Sequence, residues 1–407
     1  MKRVVVTGMA GISPLGNDWQ TVKNKLQSYT GGIEYMQDWE QYEGLNTRLG
    51  APCTFEKPEH YTRKRTRSMG RVSLMAVITA EQALKDAGLL DDPEIQSGCM
   101  GVAYGSSTGS TDAVTHFGLM RTVGKVKGIT ANSYVQMMPH TCAVNIALFL
   151  GLKGRIVPTG TACTSGSQGI GYAYENIKFG KQKMMLAGGG EELCATEAAV
   201  FDVMYATSTK NDTPEKTPRP FDRDRDGLVI GEGAGTFVLE ELEHAKARGA
   251  KIYAEIVGFS TNVDGVHITQ PSDEIMLRAA EEAMEDAGLS PQDIGYVNAH
   301  ATATELGDIA ESRATHKLFS DKTPVSSLKS YMGHTLGASG SLESWMSIQM
   351  MLDEWFAPNL HLENIDERCA GLDYIQHEGR KISTEFVMNN NFAFGGINTS
   401  LIFKRWE

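Results

Sequence analysis

AEQALKDAGL, residues 80–89, comes back as AEEAMEDAGL at residues 280–289. Each copy reads as an amphipathic helix that runs out at Ala-Gly-Leu, where Gly88 and Gly288 supply a left-handed C-terminal cap. An echo of that length points to a duplicated unit before any single residue is weighed. Each helix leads to a short strand, GVAYGSS (101–107) and IGYVNAHAT (294–302). A weaker echo sets CTSGSQG (163–169) beside HTLGASG (334–340). Strand-like runs at 155–158 and 324–328 precede these stretches, and helices at about 166–179 and 338–352 follow them. MMLAGGGEE (184–192) and AGTFVLEEL (234–242) read as further buried strands. Alternating strands and helices predict an α/β fold of mostly parallel sheets covered by helices. The two halves, 1–250 and 251–407, form one body, because the Pro-, Asn- and Asp-rich stretch 209–224 reads as a long exposed connection rather than a domain linker.

The bulk properties narrow the function. At 407 residues, 41% apolar and 22% charged, the chain suits two domains or one large α/β unit with a full core. A net charge of −12 argues against a general nucleic-acid binder. No apolar run approaches the ~18 residues of a membrane span, and the opening MKRVVVTGMAG reads as a first strand rather than a signal peptide. Six scattered cysteines without a C-x-x-C pair fit reduced cytoplasmic thiols, not a disulfide framework or a zinc site. DRDRDG (222–227) imitates a calcium loop, but its twelfth position is Gly233 and an apolar strand follows, so it reads as a structural loop. GMAG and GEGAG lack the strand–GxGxxG–helix setting, and no nucleotide cofactor is implied.

Duplicated halves build a site where corresponding loop ends meet. Three such ends carry reactive side chains: Cys163 in TGTACTSGSQ (159–168), His300 in NAHATATELGD (298–308) and His334 in SLKSYMGHTLGASG (327–340). A cysteine at a helix N-terminus sits where free N–H groups and the helix dipole favour a thiolate. One cysteine and two histidines on separate loops fit a nucleophile with bases. On spacing alone, Cys163 can equally be a small buried hydrophobe and the histidines satisfied loop residues.

Four stretches taken together shift that balance. TACTSG (161–166), NAHATATELGD (298–308), KSYMGHTLGASG (329–340) and NNNFAFGGINTSLIF (389–403) resemble the β-ketoacyl-[acyl-carrier-protein] synthases, elongating condensing enzymes of thiolase fold. VVVTGMAGISPLG (4–16), RPFDRDRDGLVIGEGAG (219–235) and EELEHAKARGAKIYAEIVGF (240–259) extend the likeness from residue 3 to about 405, in the same order. The resemblance implies a layered αβαβα thiolase-like body and a decarboxylative Claisen reaction. Cys163 would take an acyl chain from a carrier-protein thioester, and the enolate left by malonyl decarboxylation would attack it. Backbone N–H groups of Cys163 and Phe394 would hold one oxyanion, and neutral His300 and His334 the enolate. Lys329, with Glu343 as ion partner, would order the site, and Asp308 would support its loops. Thr302, Thr304 and Thr269 would hold the pantetheine arm; without the family context they read as ordinary loop or capping residues. No cofactor or metal is implied beyond the 4'-phosphopantetheine supplied by the acyl carrier protein, and a homodimer is expected, a heterodimer remaining open.

YTRKRTRSMGR (61–71) holds Arg63, Lys64, Arg65, Arg67 and Arg71 without an acid. Such a run is usually a solvated helix face or a nucleic-acid patch. On this acidic chain, with an acidic partner implied, it reads as a carrier-protein docking site, with Lys125 and Lys127 adding to it. The chain also departs from the family. Ala301 and Ala393 replace usual glycines, and Met332 a frequent threonine. Thr108 sits at a substrate-binding position that is usually apolar and gates the acyl pocket, while Gln136, Met137, Met138 and His140 alter a segment that meets the partner subunit. These features imply a specialised acyl substrate, polyene or unsaturated, and the wording is similar to condensing enzymes of bacterial aryl polyene pathways. A thiolase acting on coenzyme A thioesters would need a second catalytic cysteine where this chain has His300 and His334. The other alternative is a non-catalytic, chain-length-factor-like subunit of another synthase.

Overall fold

In the computed structural model, which describes all 407 residues, the framework of the first half runs β1 (Val4–Ile12), α1 (Arg71–Asp86), β2 (Met100–Gly105), β3 (Ile156–Pro158), α2 (Ser165–Lys178), β4 (Met184–Glu191), α3 (Ala195–Asp202) and β5 (Gly233–Glu241). The second half runs β6 (Ala254–Val263), α4 (Asp273–Ala287), β7 (Ile294–Asn298), α5 (Glu305–Phe319), β8 (Pro324–Ser326), α6 (Ser339–Leu352), β9 (Asp373–Tyr374), β10 (Phe386–Phe392) and β11 (Ile397–Arg405). The spatial order is β3-β2-β4-β5-β1 in one half and β8-β7-β10-β11-β6 in the other, with β9 added outside β8. Strand for strand this is the same order. The halves join edge to edge, because Val4–Val6 of β1 pair antiparallel with Ala254–Ile256 of β6.

The repeated decapeptides end α1 and α4, and their small residues have a job. A Cβ on Gly8 of β1 would strike the Ala83 carbonyl and Ala87 of α1, and a Cβ on Gly258 of β6 would strike the Ala283 carbonyl and Ala287 of α4. Glycine lets each strand lie against the alanine face of its helix. The two aspartates of the repeat then hold that contact: Asp86 accepts from the Met9 N–H at 3.0 Å, and Asp286 from the Phe259 N–H at 3.3 Å. Gly88 and Gly288 follow these helices with φ of 69° and 67°, the left-handed cap expected of them.

Helices α1 and α4 cover the outer faces of the sheets, while α2 and α6 pack on each other between them, giving five layers. The inner contact is close: a Cβ on Gly166 of α2 would lie 2.9 Å from the Gly337 carbonyl and from the Ser341 amide of α6. The largest buried cluster draws Ile170 and Phe237 from the first half and Phe259 and Trp345 from the second. Each such side chain contributes roughly 1.5–3 kcal/mol on burial, so the halves share one core.

Three expectations need correction. The sheets are not mostly parallel. Within each set of five strands two pairings are parallel (β3/β2 and β2/β4; β8/β7 and β7/β10) and two antiparallel (β4/β5 and β5/β1; β10/β11 and β11/β6), and β9 adds one parallel pairing to β8. The four residues 393–396 between β10 and β11 are too few for a crossover, so that pair must be a hairpin. Next, the weaker echo is real but lies three residues away. The short 3-10 turn Ala162–Thr164 before α2 matches Leu336–Ala338 before α6, and both helices then begin Ser-Gly-Ser. Cys163 therefore corresponds to Gly337, not to His334. Finally, the connection 209–224 is not exposed throughout. Thr217–Asp222 is buried, with Phe221 packed on Tyr374 and the Asp222 carboxylate accepting the N–H groups of Asp224, Glu363 and Asn364 at 2.8–2.9 Å.

Candidate active site

Each reactive side chain stands where a strand end gives way to a helix. Cys163 lies in the 3-10 turn between β3 and α2, His300 two residues past β7, and His334 between β8 and α6. Beside each is a non-glycine residue in the left-handed region: Ala162 (φ 51°), Ala303 (φ 65°) and Leu336 (φ 45°). Such backbone costs ~1 kcal/mol or more per residue, so tertiary bonds must hold these loops.

Those bonds come from buried acids. Glu311 of α5 accepts from the His300 and Ala301 N–H groups at 2.7 and 2.6 Å, and Asp308, one turn earlier, from Ala303 and Phe221 at 3.1 and 2.8 Å. Burial pushes the Asp308 carboxyl up to about 6, against the opposing pull of Arg225 and the two N–H groups. Burial likewise raises Glu311 to about 8. On the other side Lys329 and Glu343 form a fully buried ion pair, and the second Glu343 oxygen accepts from Asn391 Nδ2 at 2.7 Å.

Within this frame the thiol and the imidazoles meet. His334 Nε2 lies 2.9 Å from Cys163 Sγ. Its Nδ1 accepts from the Leu336 N–H at 3.3 Å and lies 2.9 Å from Ser339 Oγ. A backbone N–H can only donate, so Nδ1 is bare and the ring proton is on Nε2, facing sulfur. The His300 ring stands at 87° to that of His334, with centroids 5.1 Å apart. Burial first, then the positive charge of Lys329, holds both imidazoles well below their ordinary value, so both are neutral. Burial pushes the Cys163 thiol up to about 11, although the N–H groups of Phe394 and Cys163 and the Lys329 charge pull the other way. The helix N-terminus thus does not win: the resting group is a thiol. Sγ and the two imidazoles also make a possible zinc set, their donor atoms lying within 4.8 Å of one another. Ligands of tetrahedral zinc stand ~3.5 Å apart, whereas Sγ and Nε2 are at hydrogen-bond separation with the proton between them.

A cavity of about 600 Å³ opens onto this group, lined by Cys163, His300, His334, Thr302, Thr304, Thr269 and Phe394. Thr302 and Thr304 place their hydroxyls 3.0 Å apart on its wall. Thr108 is not part of that cavity: its hydroxyl donates to Glu197 at 2.6 Å. The Gln136 amide donates to the Met69 carbonyl at 3.1 Å. Arg63, Lys64, Arg67, Lys125 and Lys127 are exposed and take part in no salt bridge. Arg65 differs, because its guanidinium stacks 3.6 Å from the Phe149 ring and donates to the Phe149 carbonyl at 2.8 Å. Arg71, for its part, is paired with Glu232. Sequence reasoning missed Glu311, Ser339 and Asn391. For Glu311 a signal existed: it follows Asp308 by three residues in the first turns of one helix, next to the histidine loop.

The beta-ketoacyl synthase N-terminal domain model matches residues 1–245, and the C-terminal domain model residues 253–363. The chain belongs to the β-ketoacyl synthases. This synthase is 40% identical over 418 residues to the 3-oxoacyl-[acyl-carrier-protein] synthase 2 of Vibrio cholerae, covering 99% of each chain. A crystal structure of a β-ketoacyl synthase from Burkholderia phymatum superposes with a TM-score of 0.99 at 59% identity, over 100% of both chains. A ketosynthase complex containing a type II polyketide-synthase acyl-carrier protein, bound to the hexaketide, is also similar: TM-score 0.88, 27% identity, 100% of both chains.

Proposed function

We propose that the protein is a β-ketoacyl-[acyl-carrier-protein] synthase that extends an acyl chain by two carbons. The observation that carries this is the Cys163 thiol at 2.9 Å from a neutral, Nε2-protonated His334, with neutral His300 on the same cavity. In the first step the acyl–sulfur bond of the carrier thioester breaks, the acyl–Sγ bond forms, and the Cys163 proton passes to the pantetheine sulfur. Malonyl-carrier protein then loses CO2, and the electron pair of the broken C–C bond moves onto its thioester oxygen as an enolate. His300 and His334, as neutral donors, stabilise that oxygen; a carboxylate in either place would repel it. The enolate carbon attacks the acyl-cysteine, whose oxyanion is held by the N–H groups of Cys163 and Phe394. Collapse frees Sγ, which takes a proton from solvent.

Thr302, Thr304 and Thr269 line the arm's route, and Lys329, Glu343 and Asp308 fix the loops rather than touch the substrate. The exposed Arg63, Lys64, Arg67, Lys125 and Lys127 suit an acidic carrier protein, and a carrier protein accompanies the ketosynthase in one similar structure. We place the enzyme in the cytoplasm, as a homodimer without metal or organic cofactor of its own, acting on a specialised chain of polyene or unsaturated type. The test incubates the protein with malonyl-carrier protein and acyl-carrier proteins and reads intact mass. A two-carbon β-keto extension that vanishes with Cys163→Ala supports the reading. If no primer loads Cys163, the protein is a non-catalytic partner subunit instead.

A further inference from the structure

Among the acidic and histidine side chains, only His300 and Glu197 carry a buried polar atom without a hydrogen-bond partner. The first belongs to the site described above. The second, Oε2 of Glu197, is a buried carboxyl oxygen that no protein group satisfies, on a residue only 4% exposed. An orphan of that kind costs about 1–3 kcal/mol, and a ligand group can recover it. Its surroundings lead back to the nucleophile. Oε1 of Glu197 accepts from the Thr108 hydroxyl at 2.6 Å, and that hydroxyl also reaches Glu191 at 3.3 Å. Glu191 accepts the Gly337 N–H at 3.1 Å, in the turn that packs on the Cys163 turn. Next to Glu197 on α3, Ala198 belongs to the same buried cluster as Cys163, with Ala195 and Ala199 packed against it. The orphaned oxygen thus sits one residue from a side chain that shares the nucleophile's buried cluster.

We infer that Glu197 is a specificity-determining residue that donates a hydrogen bond to an oxygen far along the acyl chain carried by Cys163, so that the preferred substrate is an acyl group with a distal hydroxyl or carbonyl. This rests on the synthase reading. With Oε1 accepting from Thr108, the proton of the neutral acid lies on Oε2, which makes that atom a donor. Burial and the neighbouring Glu191 both hold the Glu197 carboxyl well above its ordinary value, in keeping with a neutral acid.

The test compares carrier proteins charged with a plain chain and with a chain of equal length bearing a hydroxyl near its far end, reading the rate of Cys163 loading by intact mass. The unmodified protein prefers the hydroxylated chain by about tenfold, the worth of one buried hydrogen bond. Glu197→Met abolishes the preference while still loading the plain chain. Glu197→Gln keeps it, because the amide N–H replaces the donor. Thr108→Val, at an exposed position that folding tolerates, weakens it and decides the matter if Glu197→Met fails to fold. A preference absent from the unmodified protein, or unchanged in Glu197→Met or Thr108→Val, overturns the inference alone. Failure of Cys163 to load any chain overturns the synthase reading, and this inference with it.

Discussion

The turn Ala162–Thr164 and the turn Leu336–Ala338 hold matching places in the two halves, each with a left-handed first residue and each running into a helix that begins Ser-Gly-Ser. Their middle residues are Cys163 and Gly337. The Gly337 N–H donates to the Glu191 carboxylate, and a Cβ on Gly337 would lie 2.8 Å from that carboxylate and 2.9 Å from the Ser107 amide. No side chain fits there. Cys163, in the same backbone setting, instead faces the open cavity and His334. Duplication copied the scaffold, but space around each copy decided which one could bear a nucleophile, and the second half contributes its histidine from three residues upstream.

The hardest test of that asymmetry is Cys163→Ala, expected to lower condensation by on the order of a thousandfold or more and to abolish the acyl-enzyme in intact-mass spectra. Residual acyl-enzyme would mean that another thiol serves. His300→Gln and His334→Gln should each cut malonyl decarboxylation by about 100–1000-fold, measured as released CO2. Both imidazoles are held well below their ordinary value, so the NMR shifts of the two rings should stay flat between pH 6 and 8, around the ordinary histidine pKa of ~6.5. An inflection there would show that one of them carries charge.

Smaller effects sharpen the comparison. Alkylation of Cys163 in the free enzyme should rise tenfold per pH unit toward about 11, where an ordinary thiol levels off near ~8.5. Levelling below that would restore the helix-end thiolate. Gly337→Ala should cost about 1–3 kcal/mol in chemical denaturation, through overpacking against Glu191. Gly88→Ala and Gly288→Ala meet open space and suffer only their left-handed φ, so each should cost ~1 kcal/mol and by similar amounts. Unequal costs would show that the two caps are not equivalent.

Much of this was legible beforehand because it rests on local pattern. The repeated Ala-x-x-Ala and Asp-Ala-Gly of α1 and α4 announced the duplication, and short motifs around Cys163, His300, His334 and Phe394 announced the cavity. Where reading went astray, the missing information was non-local. The register of the second echo depended on the left-handed turns at Ala162 and Leu336, which similarity of letters cannot place. Arg65 looked like its neighbours in the basic run, but the Phe149 ring beneath it comes from a stretch 84 residues away. That the Thr108 hydroxyl is held by Glu197, 89 residues away, was equally beyond any local pattern.

By itself the sequence determined the element types, the twofold repeat, and which side chains have the chemistry to act as nucleophile and donors, since helix and strand periodicity and residue chemistry are carried in short windows. Only the tertiary structure decided the tautomer of His334, the protonation of Cys163 and the orphaned oxygen of Glu197. Each of these depends on burial and on partners brought from distant parts of the chain, and desolvation is a property of the packed molecule, not of any stretch within it.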